Sequence, residues 1–386
     1  MNPCRLLQTC IVTVFSTLLL SSFNDAFAAD TNEPEERDEV APAYVLTALP
    51  ATIEFPWSMA FLPKEEMLVT SRAGKLWLVN SATDALTDVT PELQDLLVDG
   101  QAGLFEVALS PSFNRDRTVF LSWACGTLRA NNTCLGKGFW NGSELTNFHL
   151  IFRASPDKRG SAHYGGRIAF MPDSTLILTL GDGFDYREEA QRISNHIGSV
   201  VRLELDGTVP SDNPLISNPK AKPEIFTFGH RNVQGVAWHP ERRAMFISEH
   251  GPRGGDEINL LRSGQNYGWP LVTGGVDYTG AKITPYQNLP GLSGPEFEWT
   301  PSIAPSGLLI YQGDMFADWN GDFLVPALAA KKVVRLRYQD DQLTSQETLF
   351  AELEQRIRYI AMHPETGALY LLTDHSAGKI IKVTRE

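Results

Sequence analysis

Phe61-Leu62-Pro63 precedes Met67-Leu68-Val69-Thr70, and the same phrase returns four times along the chain. Ala108-Leu109-Ser110-Pro111 precedes Val119-Phe120-Leu121-Ser122, and Ala169-Phe170-Met171-Pro172 precedes Leu176-Ile177-Leu178-Thr179. Val236-Ala237-Trp238-His239-Pro240 precedes Met245-Phe246-Ile247-Ser248, and Ala361-Met362-His363-Pro364 precedes Leu369-Tyr370-Leu371-Leu372. Each unit is an apolar strand, a proline-containing turn and a second apolar strand. The prolines stand at 63, 111, 172, 240 and 364, and the last gap is about two periods. Gly307-Leu308-Leu309-Ile310-Tyr311 fills it with a strand that lacks the proline. Later strands of a unit show as Lys75-Leu76-Trp77-Leu78-Val79 and Val333-Val334-Arg335-Leu336-Arg337. Six strand units recurring at this length predict an all-β fold, a six-bladed β-propeller forming a single domain over 46–386. A two-domain α/β organisation is excluded by the scarcity of helical periodicity; only 188–193 is expected to form a short helix.

The chain has 386 residues, 33 basic and 46 acidic, for a net charge of −13, with 42% hydrophobic and 20% charged residues. Those proportions exclude a disordered chain and a membrane bundle, and the acid excess argues against nucleic acid as a partner. At the N-terminus, Arg5, the apolar run Ile11 to Leu20 and Ala26-Phe27-Ala28 read as a signal peptide over 1–28. A flexible acidic leader is expected at 29–45. No other stretch approaches ~18 consecutive apolar residues, so no membrane span is expected, and the location is periplasmic or secreted. Removal of 1–28 leaves Cys125 and Cys134, which flank a polar stretch and are expected to form a disulfide contributing about 2–3 kcal/mol. The alternative, a metal pair, lacks a second pair of ligands.

Propellers carry function in the loops at one face, and five loops stand out. Gly100-Gln101-Ala102-Gly103 is a tight turn that aims Gln101 outwards, towards a ligand or solvent. In Ser161-Ala162-His163-Tyr164-Gly165-Gly166-Arg167, His163 is either an open-pocket base or a satisfied histidine; Asp182, in Leu180-Gly181-Asp182-Gly183, is placed to orient it. Arg231 and Asn232, in Phe228-Gly229-His230-Arg231-Asn232-Val233-Gln234-Gly235, offer a fork of donors for an anionic or quinonoid ligand, or an ion pair on a turn. Glu249-His250-Gly251-Pro252-Arg253-Gly254-Gly255-Asp256-Glu257 places acids after a turn that exposes main-chain carbonyls, the hard oxygen donors calcium prefers. Arg356-Ile357-Arg358 puts two guanidiniums on one strand face, as a carboxylate clamp or a polar sheet face.

Together these loops resemble the soluble quinoprotein aldose (glucose) dehydrogenases, most closely the bacterial aldose sugar dehydrogenases, from about Pro56 to the C-terminus. The resemblance is carried by Gly100 to Gly103, His163 to Arg167, Gly229 to Gly235, Glu249 to Pro252 with Gly255 to Asn259, Asn266-Tyr267-Gly268-Trp269-Pro270, and Trp299-Thr300-Pro301-Ser302-Ile303-Ala304-Pro305-Ser306-Gly307. It implies a propeller holding pyrroloquinoline quinone (PQQ) and calcium. His163 then resembles the general base with Asp182 as its partner, and Arg231 a residue that polarises a quinone carbonyl. Gln101, Arg231, Asn232, Tyr278, Arg356 and Arg358 resemble cofactor contacts; the cofactor carries carboxylates, which suits arginines. Gly251 and Pro252 resemble carbonyl ligands of a calcium, and Glu257 and Tyr267 ligands of a second, structural calcium.

Two departures stand out. The family often has a lysine just after the strand that reads here Phe323 to Leu328; this chain has Ala329-Ala330, and Lys331 is the expected replacement. The residue before the histidine, often acidic in the glucose-oxidising branch, is Ala162. The implied activity is oxidation of the C1 hydroxyl of aldose sugars to lactones, with electrons passed to an external acceptor. No Cys-x-x-Cys-His occurs, so no c-type haem attachment is expected. The alternatives are a non-catalytic sugar- or protein-binding propeller, and a calcium-dependent lactonase.

Overall fold

The computed structural model describes residues 44–339 and 342–386. The expected signal peptide at 1–28, and the expected leader as far as 43, lie outside the described residues.

Six four-stranded antiparallel sheets make six blades. Their first strands, Pro56–Leu62, Leu104–Leu109, Gly165–Phe170, Val233–His239, Leu309–Ile310 and Ile357–Met362, pack against one another in a ring. Blades 1 to 5 each use four consecutive strands. Blade 6 joins Ile357–Met362, Leu369–Thr373 and Gly378–Arg385 to the outer strand Tyr44–Ile53. That strand pairs antiparallel from Tyr44↔Arg385 to Ile53↔Gly378, so the two ends of the domain close the ring in one sheet. The leader expected to run to 45 is corrected here: Tyr44 and Val45 belong to the closing strand. Tyr44 packs edge-on against Phe350 at 4.9 Å, which ties the strand start to the core.

The repeated phrase is apolar because of how blades stack. Middle strands such as Leu176–Leu180 and Phe323–Ala327 are buried at every residue, each blade being covered on both faces by its neighbours. One apolar cluster lies between each successive pair of blades, as with Leu68 and Leu76 against Val119 and Leu121, and Phe246 and Ile258 against Phe323 and Val325. The recurring prolines sit in the turns between first and second strands. Blade 5 lacks one because its first strand is only Leu309–Ile310 and residues 311–322 replace the short turn. The helix expected at 188–193 is a 3-10 turn, Arg187–Gln191, in which only Ala190 is buried. That segment has no apolar stripe to hold a longer helix against the sheets.

Arg167 ties the blades together on the axis. From blade 3 it donates through Nη1 to Glu106 Oε2 of blade 2 at 2.6 Å, through Nε to Gln234 O of blade 4 at 2.7 Å, and through Nη2 to Ser306 O, beside blade 5. Its guanidinium lies 3.7 Å from the Trp57 ring centroid of blade 1 and 4.9 Å from that of Tyr359 in blade 6. Tyr359 in turn donates to Glu106 Oε1 at 2.9 Å. One buried guanidinium therefore reaches the other five blades.

Candidate active site

His163 stands on the turn entering Gly165–Phe170, at φ +50°. Two glycines follow at positive φ, and a Cβ on Gly165 would come within 2.5 Å of Thr179 O, so the turn presses directly on the neighbouring strand. Backbone N–H of His163 donates to Gln101 Oε1 at 3.0 Å, so Gln101 reaches the histidine turn from blade 2. The ring Nδ1 lies 2.6 Å from Asp182 Oδ1. Asp182 Oδ1 also accepts Phe184 N at 2.8 Å, and Oδ2 accepts Trp269 Nε1 at 2.8 Å. Burial pulls the His163 imidazole below the ordinary histidine value and outweighs the upward pull of Asp182; Arg231 and Lys158 add to the lowering. Burial would raise the Asp182 carboxyl, but the His163 hydrogen bond and charge, with Arg231 and the Phe184 amide, hold it below its usual range. The pair is thus a neutral imidazole donating Nδ1–H to a carboxylate. Among the described residues no group hydrogen-bonds to Nε2, which is left as the basic nitrogen.

A cavity of about 190 Å³ meets the histidine turn at Tyr164 and Gly165 and is lined by Gln101, Asn232, Arg72, Arg356, Arg358 and Asp374, among others. Four of the expected residues, Gln101, Asn232, Arg356 and Arg358, therefore share one space. The two arginines converge on a carboxylate of the chain itself. Arg356 Nη2 lies 3.1 Å and Arg358 Nη2 3.5 Å from Asp374 Oδ2. Burial would raise Asp374, but Arg358, Arg356 and Arg72 hold it low. Burial also pulls Arg358 down to about 10, and its Nε is buried without a hydrogen-bond partner. Three guanidiniums facing one carboxylate, with one buried donor unspent, suit a polyanionic ligand. A planar tricarboxylate such as PQQ fits this donor set.

Arg231 lies where the two other expected groups meet. Its Nη1 donates to Gly251 O at 2.6 Å and to His250 O at 3.2 Å, its Nη2 to Tyr278 Oη at 3.3 Å, and its guanidinium lies 5.4 Å from the Trp269 centroid. A cleft of about 280 Å³ next to it is lined by Phe184, Pro252, Trp269, Asp277 and Tyr278. Tyr278, 58% exposed, stacks on Phe184 with centroids 6.1 Å apart.

The acidic turn divides into two functions. Asp256 is spent on the backbone: Oδ1 accepts Gly251 N at 2.9 Å, and Oδ2 accepts Ile303 N and Ala304 N at 2.7 and 2.8 Å. It shapes the loop that presents the Gly251 and Pro252 carbonyls. Glu257, Tyr267 and Glu249 line a small void behind it together with Gly251. Asn259 Nδ2 bridges Glu249 Oε1 and Glu257 Oε2, both at 3.1 Å. Burial, and next the charge of Glu249, push the Glu257 carboxyl up. Glu249 already meets His230 Nδ1 and Arg231 N, both at 2.9 Å, so Glu257 with the main-chain oxygens nearby is the donor set left to suit calcium. The Tyr267 hydroxyl itself is used elsewhere, donating to Leu260 O at 2.6 Å, so only its main chain is left for a ligand role. Among the described residues, no three His, Cys, Asp or Glu side chains form a metal-holding group.

Lys331 departs from expectation. It is exposed on the turn after Phe323–Ala327, and from that turn it is Leu328 that lines the arginine cavity. The main chain of Ala329 and Ala330 is drawn to Ile303 O at 3.0 and 3.2 Å, which turns Lys331 outwards. Sequence reasoning missed Asp374 and Arg72, which lie in no quoted motif. It also missed the tie from Trp269 to Asp182, although Trp269 stood in a quoted motif. Cys125 and Cys134 are disulfide-bonded, as expected. No helix among the described residues is long and apolar enough to cross a membrane.

The chain is similar to known proteins over most of its length. The family model described as Glucose / Sorbosone dehydrogenase matches residues 53–382. Aldose sugar dehydrogenase YliI of Escherichia coli strain K12 is 37% identical over 353 residues, covering 89% of this chain and 94% of the relative. The crystal structure of the soluble aldose sugar dehydrogenase from Escherichia coli in the apo-form is similar at a TM-score of 0.85 and 35% identity, covering 89% of this chain and 100% of that one. The PQQ-bound form of aldose sugar dehydrogenase from Streptomyces coelicolor is similar at a TM-score of 0.72 and 26% identity, covering 90% and 100%.

Proposed function

The chain belongs to the glucose/sorbosone dehydrogenase family, and from that premise we propose that it is a periplasmic PQQ- and calcium-dependent enzyme that oxidises the C1 hydroxyl of aldoses to lactones. The observation that carries the reading is the arginine-rich cavity, with its unspent Arg358 Nε, which meets the turn that carries His163 at Tyr164 and Gly165. Arg72, Arg356, Arg358, Asn232 and Gln101 would hold the quinone, and the Pro252 carbonyl, with the Gly251 carbonyl shared with Arg231, would hold a calcium next to it. Glu257, with the main chain of Tyr267, would hold a second calcium, whose charge would offset the repulsion between Glu257 and the buried Glu249. When bound, the quinone supplies an electron-deficient carbon able to accept hydride.

The chain supplies the rest. His163 accepts the C1 hydroxyl proton at Nε2, the nitrogen left basic when Nδ1–H is given to Asp182. Asp182 fixes the tautomer and stabilises the imidazolium that follows. Arg231, pinned by Gly251 O and Tyr278, places a fixed positive charge beside the reacting atoms. The exposed rings of Phe184 and Tyr278 and the Trp269 indole give the sugar an apolar wall in the open cleft. An external acceptor then removes the electrons. The apolar run before Ala28 and the disulfide both support an oxidising compartment. A non-catalytic sugar-binding propeller would not require a base with a free nitrogen next to a cationic cavity. The test is to add PQQ and calcium to the purified protein and follow aldose-dependent dye reduction. No activity across a broad aldose panel, with no quinone bound, refutes the proposal.

A further inference from the structure

We propose that Lys158 is a positioning residue for this chemistry: its buried side chain locks together the two turns that carry His163 and Asp182 and sets an ammonium beside the imidazole. The inference rests on the reading of His163 as the base.

Lys158 is 1% exposed, although it is a lysine outside every quoted motif. Its backbone is fixed by an exchange of hydrogen bonds with Asn131, Lys158 N to Asn131 O at 2.8 Å and Asn131 N to Lys158 O at 3.0 Å. Asn131 stands on the hairpin closed by the Cys125–Cys134 disulfide. From that anchor the side chain runs between the two functional turns. Nζ donates to Ala162 O, the carbonyl just before His163, at 2.9 Å. The stem passes under Gly183, the residue just after Asp182, so closely that a Cβ there would come within 2.5 Å of Lys158 Cδ. Nζ also lies 3.6 Å from the Tyr164 ring centroid and 3.4 Å from Asn131 Oδ1.

No salt bridge to Lys158 forms among the described residues, so its ammonium is desolvated against a carbonyl, an amide oxygen and a ring. A methionine would fill the same space without that cost. What the ammonium adds is charge. The titratable and charged groups around it and around the imidazole are Asp182, Arg231, Tyr164 and His250. Asp182 draws the ammonium towards its charged form, and the ammonium together with Arg231 opposes protonation of His163. Burial pulls Lys158 itself down to about 7. Its Nζ, held on the carbonyl one residue before the histidine, is the cation that stands beside the imidazole.

The experiment is an NMR titration of the His163 ring in the apo protein, with the resonance assigned by its absence in His163→Gln. This readout needs neither cofactor nor turnover, so it stands or falls separately from the aldose activity. Lys158→Met should raise the His163 midpoint by about half a pH unit or more, as loss of a nearby cation requires. Lys158→Arg, which keeps the charge, should stay within a few tenths of a unit of wild type. In the quinone-loaded enzyme the acid limb of kcat/KM should move with the NMR midpoint. An unchanged midpoint in Lys158→Met, or an equal shift in Lys158→Arg, overturns the proposal. If Lys158→Met does not fold, Lys158→Gln takes its place; if neither neutral residue gives a folded protein, the lysine serves the whole fold rather than the His163 turn, and the proposal fails.

Discussion

Trp269 Nε1 stands 2.8 Å from Asp182 Oδ2, on the opposite carboxylate oxygen from the one that meets His163. An indole from blade 4 thus braces the carboxylate of blade 3 from behind. Trp269→Phe keeps a ring beneath Arg231 and removes only that donor. Loss of one hydrogen bond to a buried carboxylate costs about 1–3 kcal/mol, part of which should appear in the barrier. We expect kcat to fall by about tenfold with little change in KM, measured by steady-state dye reduction. An unchanged kcat would mean that Asp182 is held well enough by His163 and Phe184 N alone.

The lowered His163 value fixes a pH dependence. A general base works unprotonated, so rate is lost as pH falls through its pKa. Burial, with Arg231 and Lys158, sets that pKa below the ordinary 6.5. The acid limb of log kcat/KM against pH should therefore have its midpoint below about 6.5. A midpoint above the ordinary histidine value would show that His163 is protonated more easily than its burial implies.

The propeller was legible because stacking buries both faces of every blade, which writes the same apolar phrase once per blade. Blade 5 was faint because its first strand shrinks to Leu309–Ile310. Within the site, Gln101, His163, Arg231 and Asn232 were visible because glycine-rich turns flank them. Asp374 was not, since a lone acid after an apolar strand has no pattern. Its importance arises only when Arg356 and Arg358 converge on it across the sheet. Asp256 and Glu257 looked like equal oxygen donors; backbone amides claim the first, and only three-dimensional packing separates them.

Calcium should matter for stability as well as turnover. Glu249 and Glu257 are bridged by one Asn259 amide, and Glu257 is pushed up by burial and by its neighbour. A divalent cation bound only by the folded protein stabilises it by mass action, about 2.7 kcal/mol at a hundredfold excess over Kd. Chelation should lower the Tm by several degrees, and calcium but not sodium should restore it. A Tm that ignores both treatments removes the metal from this turn.

Arg358 should dominate quinone binding over Arg356. Arg358 is buried with an unspent Nε, whereas the Arg356 side chain is 47% exposed and spends Nε and Nη2 on Asp374. Arg358→Ala should weaken PQQ binding by at least about tenfold, one charged hydrogen bond being worth about 1.5–3 kcal/mol. Arg356→Ala should cost less. Cofactor titration followed by absorbance ranks the two, and equal losses would mean that the ligand does not reach the buried side of the cavity.

His163→Gln separates binding from chemistry. Glutamine keeps polarity and approximate size, and the loop stays anchored because the tie to Gln101 is made by backbone N–H. The quinone cavity, lined by other residues, should keep its affinity. What is lost is the nitrogen that accepts a proton. General-base removal costs about 10²–10⁴ in rate, and the upper part of that range is expected because a sugar hydroxyl is a weak acid. The deficit should appear in kcat and in kcat/KM alike, since the contact forms as the proton moves. Single-turnover reduction of bound quinone by an aldose measures it directly. A variant that reduces its quinone at the wild-type rate would remove His163 from the mechanism and leave Asp182, or a water held by it, as the next base to test.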